Sequence, residues 1–191
     1  MNIAKIAIFV SGKGTNAQKI IQYFQNRKDI EVSLVCSNNP RSEVLELAHS
    51  LNINQLIFNK ETLNSPDGVI HFLNEKGITH IVLAGFLWLV PVHLIEIFKN
   101  KIINIHPALL PKYGGKGMFG LNVHEAVKAA GERETGITIH LVNERYDEGQ
   151  YLFQEKVDLT GAETAQEIAQ KVQELEHQYY PRVIERWILE G

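Results

Sequence analysis

Ile102-Ile103-Asn104-Ile105-His106-Pro107-Ala108-Leu109-Leu110-Pro111 is an apolar run of strand character that delivers an amide and an imidazole two residues apart, then stops at a proline. Side chains alternate along a strand, so Asn104 and His106 face the same side. Pro107 favours an extended His106 and has no N–H to give a sheet ladder. The pair therefore belongs at the carboxyl end of a strand, where open α/β sheets bind their ligands. An amide donor beside a titratable ring can hold a developing oxyanion and manage its proton. The plainer use of such a pair is to cap a turn.

The flanking chain has the rhythm of an α/β fold. Lys5 to Val10 is a near-continuous apolar run, as in a strand buried on both faces of a parallel sheet. It ends in Ser11-Gly12-Lys13-Gly14-Thr15-Asn16, and Ile20, Ile21 and Phe24 then fall on one face of a helix from Ala17 to Phe24. A strand, a glycine turn and a helix start together favour an anion, through free amides and the helix dipole. The loop is not a Walker A motif, because no glycine stands five residues before Gly12 and Lys13 is not followed by Ser or Thr. It fits G-x-G-x-x-A with Ala17 last, but a dinucleotide site wants an acidic residue about 20 positions on. Cys36-Ser37-Asn38-Asn39 stands there instead, so a phosphate monoester is the better expectation, beside the plain alternative of a glycine turn with no ligand.

Further strands are expected at Ile30 to Ser37, Gln55 to Phe58, Thr79 to Ala84, Ile137 to Val142 and Tyr151 to Val157. Helices are expected at Ser42 to Ser50, from Ser65-Pro66-Asp67 (Pro at the first helical position) to Glu75, at Leu121 to Ala130 and at Glu163 to Leu189, the last interrupted or bent near Pro181. The link Asn143 to Gly149 is too short for a crossover, so the last two strands pair antiparallel. The fold class is then Rossmann-like α/β: an open, mostly parallel twisted sheet, helices on both faces, and an antiparallel strand near the C-terminus. Residues 1–191 read as a single domain. Gly85-Phe86-Leu87-Trp88-Leu89-Val90-Pro91 is too apolar for an ordinary surface loop, and suits either one wall of a pocket for a flat aromatic ligand or core packing. Lys112 to Gly120 holds four glycines and reads as a mobile lid.

Nineteen basic and twenty-two acidic side chains give a formal charge of −3, with no basic face to screen a phosphate backbone, so no nucleic-acid partner is expected. The single cysteine, Cys36, excludes an internal disulfide and a cysteine-based zinc site. Ile3 to Val10 is too short to span a bilayer and lacks a cleavage-type signal, so no membrane partner and a cytoplasmic location are expected. His106, His124 and His140 lack any short metal-ligand spacing, so no metal is expected. Asp147, in a glycine-containing turn after a strand, can reach another strand end, where it would favour the imidazolium form of His106. A plain turn aspartate is the alternative.

Asn104 to Tyr113 resembles the core motif of the folate-dependent formyltransferases. The Ser11 to Asn16 loop resembles their phosphate loop, and Leu83-Ala84-Gly85-Phe86 the start of their folate loop. Asp147-Glu148-Gly149 resembles their catalytic D-x-G turn, and Gln173-Glu174-Leu175-Glu176-His177 with Tyr180-Pro181 their C-terminal helix signature. These five matches are collinear from about residue 6 to 184. The resemblance implies catalytic roles for Asn104, His106 and Asp147. It implies a ribose-phosphate site at Gly12, Gly14, Thr15 and Asn16, and a glycinamide contact at Gln173, Glu174, Leu175 and Glu176. It implies a folate site at Leu87, Trp88, Leu89 and Val90, with Asn104, Asn143, Glu144, Arg145, Tyr146 and Asp147. The implied reaction is formyl transfer from 10-formyltetrahydrofolate to glycinamide ribonucleotide in purine biosynthesis, with neither a metal nor a covalent enzyme intermediate. Members acting on aminoacyl-tRNA carry an extra C-terminal domain, and those that hydrolyse formyl-folate an extra N-terminal one. A chain of this length is expected to be neither. A non-catalytic nucleotide-binding module is the alternative from another class. Two departures stand out: the family usually has a basic residue where this chain has Trp88, and Ser65 to Gly68 lacks the arginine or lysine often found there.

Overall fold

The computed structural model describes residues 3–190. Seven strands form one sheet in the order β3-β2-β1-β4-β5-β6-β7. The strands are β1 (Ala4–Val10), β2 (Ile30–Ser37), β3 (Asn54–Ile57), β4 (His80–Leu83), β5 (Ile102–His106), β6 (Glu134–Leu141) and β7 (Tyr151–Asp158). The first five are mutually parallel, β6 runs antiparallel to β5, and β7 antiparallel to β6. The helices are α1 (Thr15–Phe24), α2 (Glu43–Ser50), α3 (Lys60–Asn64), α4 (Gly68–Glu75), α5 (Val92–Ile97), α6 (Leu121–Ala129) and α7 (Ala165–Glu190).

The strand code explains two cores. Ile6, Ile8 and Val10 point to one face of β1 and pack with Ile20, Ile21 and Phe24 of α1 and Val183 and Ile184 of α7. Ala7 and Phe9 point to the other and pack with Leu73 of α4 and Leu94 of α5. All five β1 positions from Ile6 to Val10 are fully buried, which is why the run reads apolar without alternation. Each such aliphatic side chain contributes about 1.5–3 kcal/mol by leaving water.

The segment expected as one helix from Ser65 is organised differently. Asn59 accepts from the Thr62 N–H and starts the short α3 upstream, and Ser65-Pro66-Asp67 turns the chain before α4 begins at Gly68. Gly68 cannot carry a side chain there, since a Cβ would fall within 3 Å of the Thr62 carbonyl carbon. Helix α7 starts two residues later than expected, at a reciprocal cap: Thr164 N–H donates to Glu167 Oε2 and Glu167 N–H to Thr164 Oγ1. It runs on through Pro181 without interruption. Tyr180, fully buried, donates its hydroxyl to the Leu83 carbonyl at 2.8 Å, tying α7 to the carboxyl end of β4. No helix among the described residues is long and apolar enough to cross a membrane.

Candidate active site

A cavity of about 1050 Å³ opens over the carboxyl ends of β1, β4 and β5. Its floor holds Asn104 and His106, one wall Phe86, Leu87 and Trp88, and the opposite wall Asn16 of α1 with Gln173 and Glu176 of α7.

Asn104 pairs with His140 across the β5–β6 ladder, and His106 with Thr138. Thr138 Oγ1 accepts from the Leu110 N–H (3.0 Å) and donates to the Ala108 carbonyl (2.7 Å), so the turn after His106 is bolted to β6. His140 Nδ1 faces the Leu141 carbonyl at 2.8 Å, which can only accept, so a neutral ring carries its proton there. Its Nε2 is then free to accept from Asn104 Nδ2 at 3.2 Å. That fixes the Asn104 amide and leaves its second N–H for an incoming oxygen.

The β6–β7 connection leaves the sheet level with Ile102, where Val142 N–H meets the Ile102 carbonyl, yet it curls back far enough to bring Asp147 to His106. Asp147 has a left-handed backbone (φ +58°) and accepts from the Gly115 N–H at 2.8 Å. Its Oδ2 lies 3.5 Å from His106 Nδ1, and its Oδ1 3.6 Å from His140 Nε2. Burial works against the Asp147 carboxylate, but the two imidazoles and the Gly115 amide outweigh it and hold the carboxyl below its ordinary value. At 3.6 Å the His140 Nε2 lies just outside hydrogen-bond distance of Oδ1. The sequence led to the expectation that Asp147 raises the His106 pKa. Asp147 does push it up, as does the Tyr113 carbonyl, but burial is the larger effect and the ring sits below its ordinary value.

The Gly12–Asn16 loop is held in place by its surroundings. Ser42 donates to the Gly12 carbonyl at 2.6 Å, and Ser11 Oγ accepts from the Leu87 N–H. Gly14 is left-handed (φ +82°), and a Cβ there would stand 2.7 Å from that of Val44. The first-turn amides of α1 have no intrahelical partners, which keeps them available to an anion at the cavity edge. Asn16 donates to Glu176 Oε2 at 2.9 Å, and its own Oδ1 is buried without a partner. Burial pushes the Glu176 carboxyl up to about 7, against the Asn16 bond, which lowers it. Asn16 and Glu176 are thus joined in the cavity wall, with one amide oxygen of the pair left without a donor.

Among the residues singled out in the sequence, Asn16, Leu87, Trp88, Asn104, His106, Tyr146, Asp147, Gln173 and Glu176 line this cavity. Leu89, Val90, Asn143 and Arg145 line a small adjoining pocket with Trp88 and Asp147. Thr15 is one step removed, with its hydroxyl 3.2 Å from Gln173 Nε2. Gly12 and Gly14 shape the loop without lining the cavity, Glu144 and Glu174 face solvent, and Leu175 packs on the core. The apolar loop serves both suggested uses, since Phe86 is buried against Phe9 and Phe58 while half-buried Trp88 lines the cavity. Lys60 sits over the Trp88 ring at 5.5 Å, a cation at this end of the cavity that the sequence had not suggested. His140 is likewise absent from the sequence-based set. The signal was its position in an alternating strand, but only the register places it opposite Asn104.

Residues 4–184 match the formyl transferase family. The chain is 36% identical over 193 residues to phosphoribosylglycinamide formyltransferase of Haemophilus influenzae, covering 98% of this chain and 88% of the relative. It is 40% identical to the chloroplastic phosphoribosylglycinamide formyltransferase of Arabidopsis thaliana, covering 94% of this chain but 64% of that longer protein. The crystal structure of phosphoribosylglycinamide formyltransferase from Bacillus halodurans superposes with a TM-score of 0.85 at 34% identity, covering 95% of this chain and 94% of that one. With the match running through every strand and on to Ile184 of α7, the chain belongs to the formyl transferase family.

Proposed function

We propose that this chain transfers the formyl group of 10-formyltetrahydrofolate to the amino nitrogen of phosphoribosylglycinamide, a step of purine biosynthesis. The observation that carries this reading is the convergence in one cavity of an amide–imidazole–carboxylate set (Asn104, His106, Asp147) and an acceptor pair (Asn16 Oδ1, Glu176). The cavity volume suits two ligands of this size, and the Phe86–Trp88 wall suits a flat aromatic one. Lys60 beside Trp88 offers a charge to a carboxylate-bearing tail.

The donor supplies an electrophilic carbon: the amine forms the new C–N bond, the bond to N10 breaks, and the amine proton ends on N10. The chain's own groups do the rest. The free N–H of Asn104 and a protonated His106 face the carbonyl oxygen as it gains charge, each donor worth about 3–4 kcal/mol where such holes have been dissected. Asp147 holds that proton on His106 and stands near enough to relay one through water. Glu176 and Asn16 Oδ1 accept from the glycinamide nitrogens and aim the amine at the carbon. The α1 amides and Gly12–Asn16 backbone take the phosphate.

A coupled assay with the ribonucleotide and 10-formyltetrahydrofolate tests this directly. Stoichiometric formation of formylated ribonucleotide and tetrahydrofolate is expected. Binding of the ribonucleotide with no turnover would identify a ribose-phosphate-binding module instead.

A further inference from the structure

His106 is gripped from a side that the proposed reaction does not use. Its Nε2 lies 2.7 Å from the Tyr113 carbonyl, an oxygen that can only accept, so Nε2 must carry a proton. Tyr113 makes this contact from a left-handed backbone (φ +56°), a conformation that costs a residue with a side chain about 1–3 kcal/mol. Something has to hold it there. Its hydroxyl donates to Glu132 Oε1 at 2.8 Å, and Lys112 Nζ binds the same oxygen at 2.8 Å. Glu132 follows α6 and the left-handed Gly131, two residues before β6 begins, so its backbone is anchored to the sheet.

We infer that Glu132 is a positioning residue: through the Tyr113 hydroxyl it keeps the Tyr113 carbonyl on His106 Nε2 and so turns His106 Nδ1 towards Asp147 and the cavity. With this acceptor on one ring nitrogen and a carboxylate 3.5 Å from the other, the only form that satisfies both is the doubly protonated ring. The other titratable groups facing His106 are His140 on β6 and His124 on α6, and neither offers an acceptor to Nε2. Release of the carbonyl frees the ring to take the neutral form with its one proton on Nδ1, shared with Asp147. That form keeps the Nδ1 proton but has lost the positive charge that would stabilise an oxyanion.

The inference rests on the formyl-transfer reading for its meaning, but its test begins on the free enzyme. Imidazole ¹⁵N spectra of the full chain, between pH 5 and 9, report the protonation of each ring nitrogen of His106. In the wild type, Nε2 should stay protonated throughout. In Tyr113→Phe and Glu132→Ala the neutral ring should move to the Nδ1–H form, and its pKa should fall, because the Tyr113 carbonyl supports the charged ring. In the transfer assay both variants should lose about tenfold in kcat at pH 7.5 with KM for either substrate within twofold, and Glu132→Gln, which keeps an acceptor for the hydroxyl, should recover most of the rate. Wild-type ring spectra in Tyr113→Phe and Glu132→Ala would overturn the inference, even if both were less active or less stable. A wild-type enzyme that shows the Nε2–H signal but transfers no formyl group would remove the functional reading and leave the latch standing.

Discussion

Replacing Glu176 by Gln should make the protein more stable and less able to use its substrate. The carboxyl is raised from an ordinary value of 4.5 to about 7 because it is buried with one amide donor, Asn16 Nδ2, for company. An acid with a raised folded-state pKa binds protons on folding, so stability is fully present below the unfolded value and declines as pH rises towards 7. At 1.36 kcal/mol per pH unit, the ionised side chain costs about 3 kcal/mol above pH 7. Gln keeps the acceptor oxygen for Asn16 and removes the charge. Urea unfolding of both proteins should therefore give nearly equal stabilities at pH 4.5 and an advantage of about 3 kcal/mol for the variant at pH 8. The same variant should bind the ribonucleotide more weakly, because a charged acceptor for its amine is gone. Equal stability differences at both pH values would refute the buried-charge reasoning. Wild-type kinetics would refute the contact with the amine.

Asp147→Asn removes a charge that supports protonated His106, so the limb on which activity falls with rising pH should move to lower pH, about tenfold in kcat at fixed pH for each unit moved. The Gly115 N–H keeps an oxygen to donate to, and a pH–rate profile in the wild-type position would count against the pairing. Asn104→Ala should cost on the order of 10²–10³ in kcat with little change in KM, read from steady-state kinetics, if its free N–H meets the oxyanion. Gly14→Ala should destabilise by about 1–3 kcal/mol, because the residue is left-handed and faces Val44. At roughly 2–4 °C per kcal/mol for a chain of this size, a melting scan will resolve it. An unchanged Tm would mean the loop is looser than its contacts suggest.

The strands were legible because burial on both faces leaves an unmistakable apolar run, as at Ile6 to Val10, and because turns follow each run. Short helices were not. At five and six residues, α3 and α5 complete too few turns for a 3.6-residue period to emerge, although Asn59 three residues before Thr62 was a readable start signal for α3. Asn104 and His106 announced themselves through local spacing alone. Asp147 reaches them only because its connection doubles back from the level of Ile102, and no pattern in the sequence encodes that path except likeness to a family. The net effect on His106 was out of reach for a different reason: its sign depends on burial outweighing a neighbouring charge, and burial is a property of the assembled fold.

The bond between the Tyr180 hydroxyl and the Leu83 carbonyl makes α7 behave like a dial with a fixed index mark. Glu176 lies four residues earlier, a little over one turn, and so on nearly the same azimuth. One residue inserted between them would swing Glu176 by about 100° and carry it off the cavity wall, while the helix grew by only about 1.5 Å and kept its apolar face towards the core on the Tyr180 side. The same insertion before Gln173 would leave that aim untouched. The interval from Glu176 to Tyr180 is therefore a length this protein can change far less freely than the composition of the residues within it.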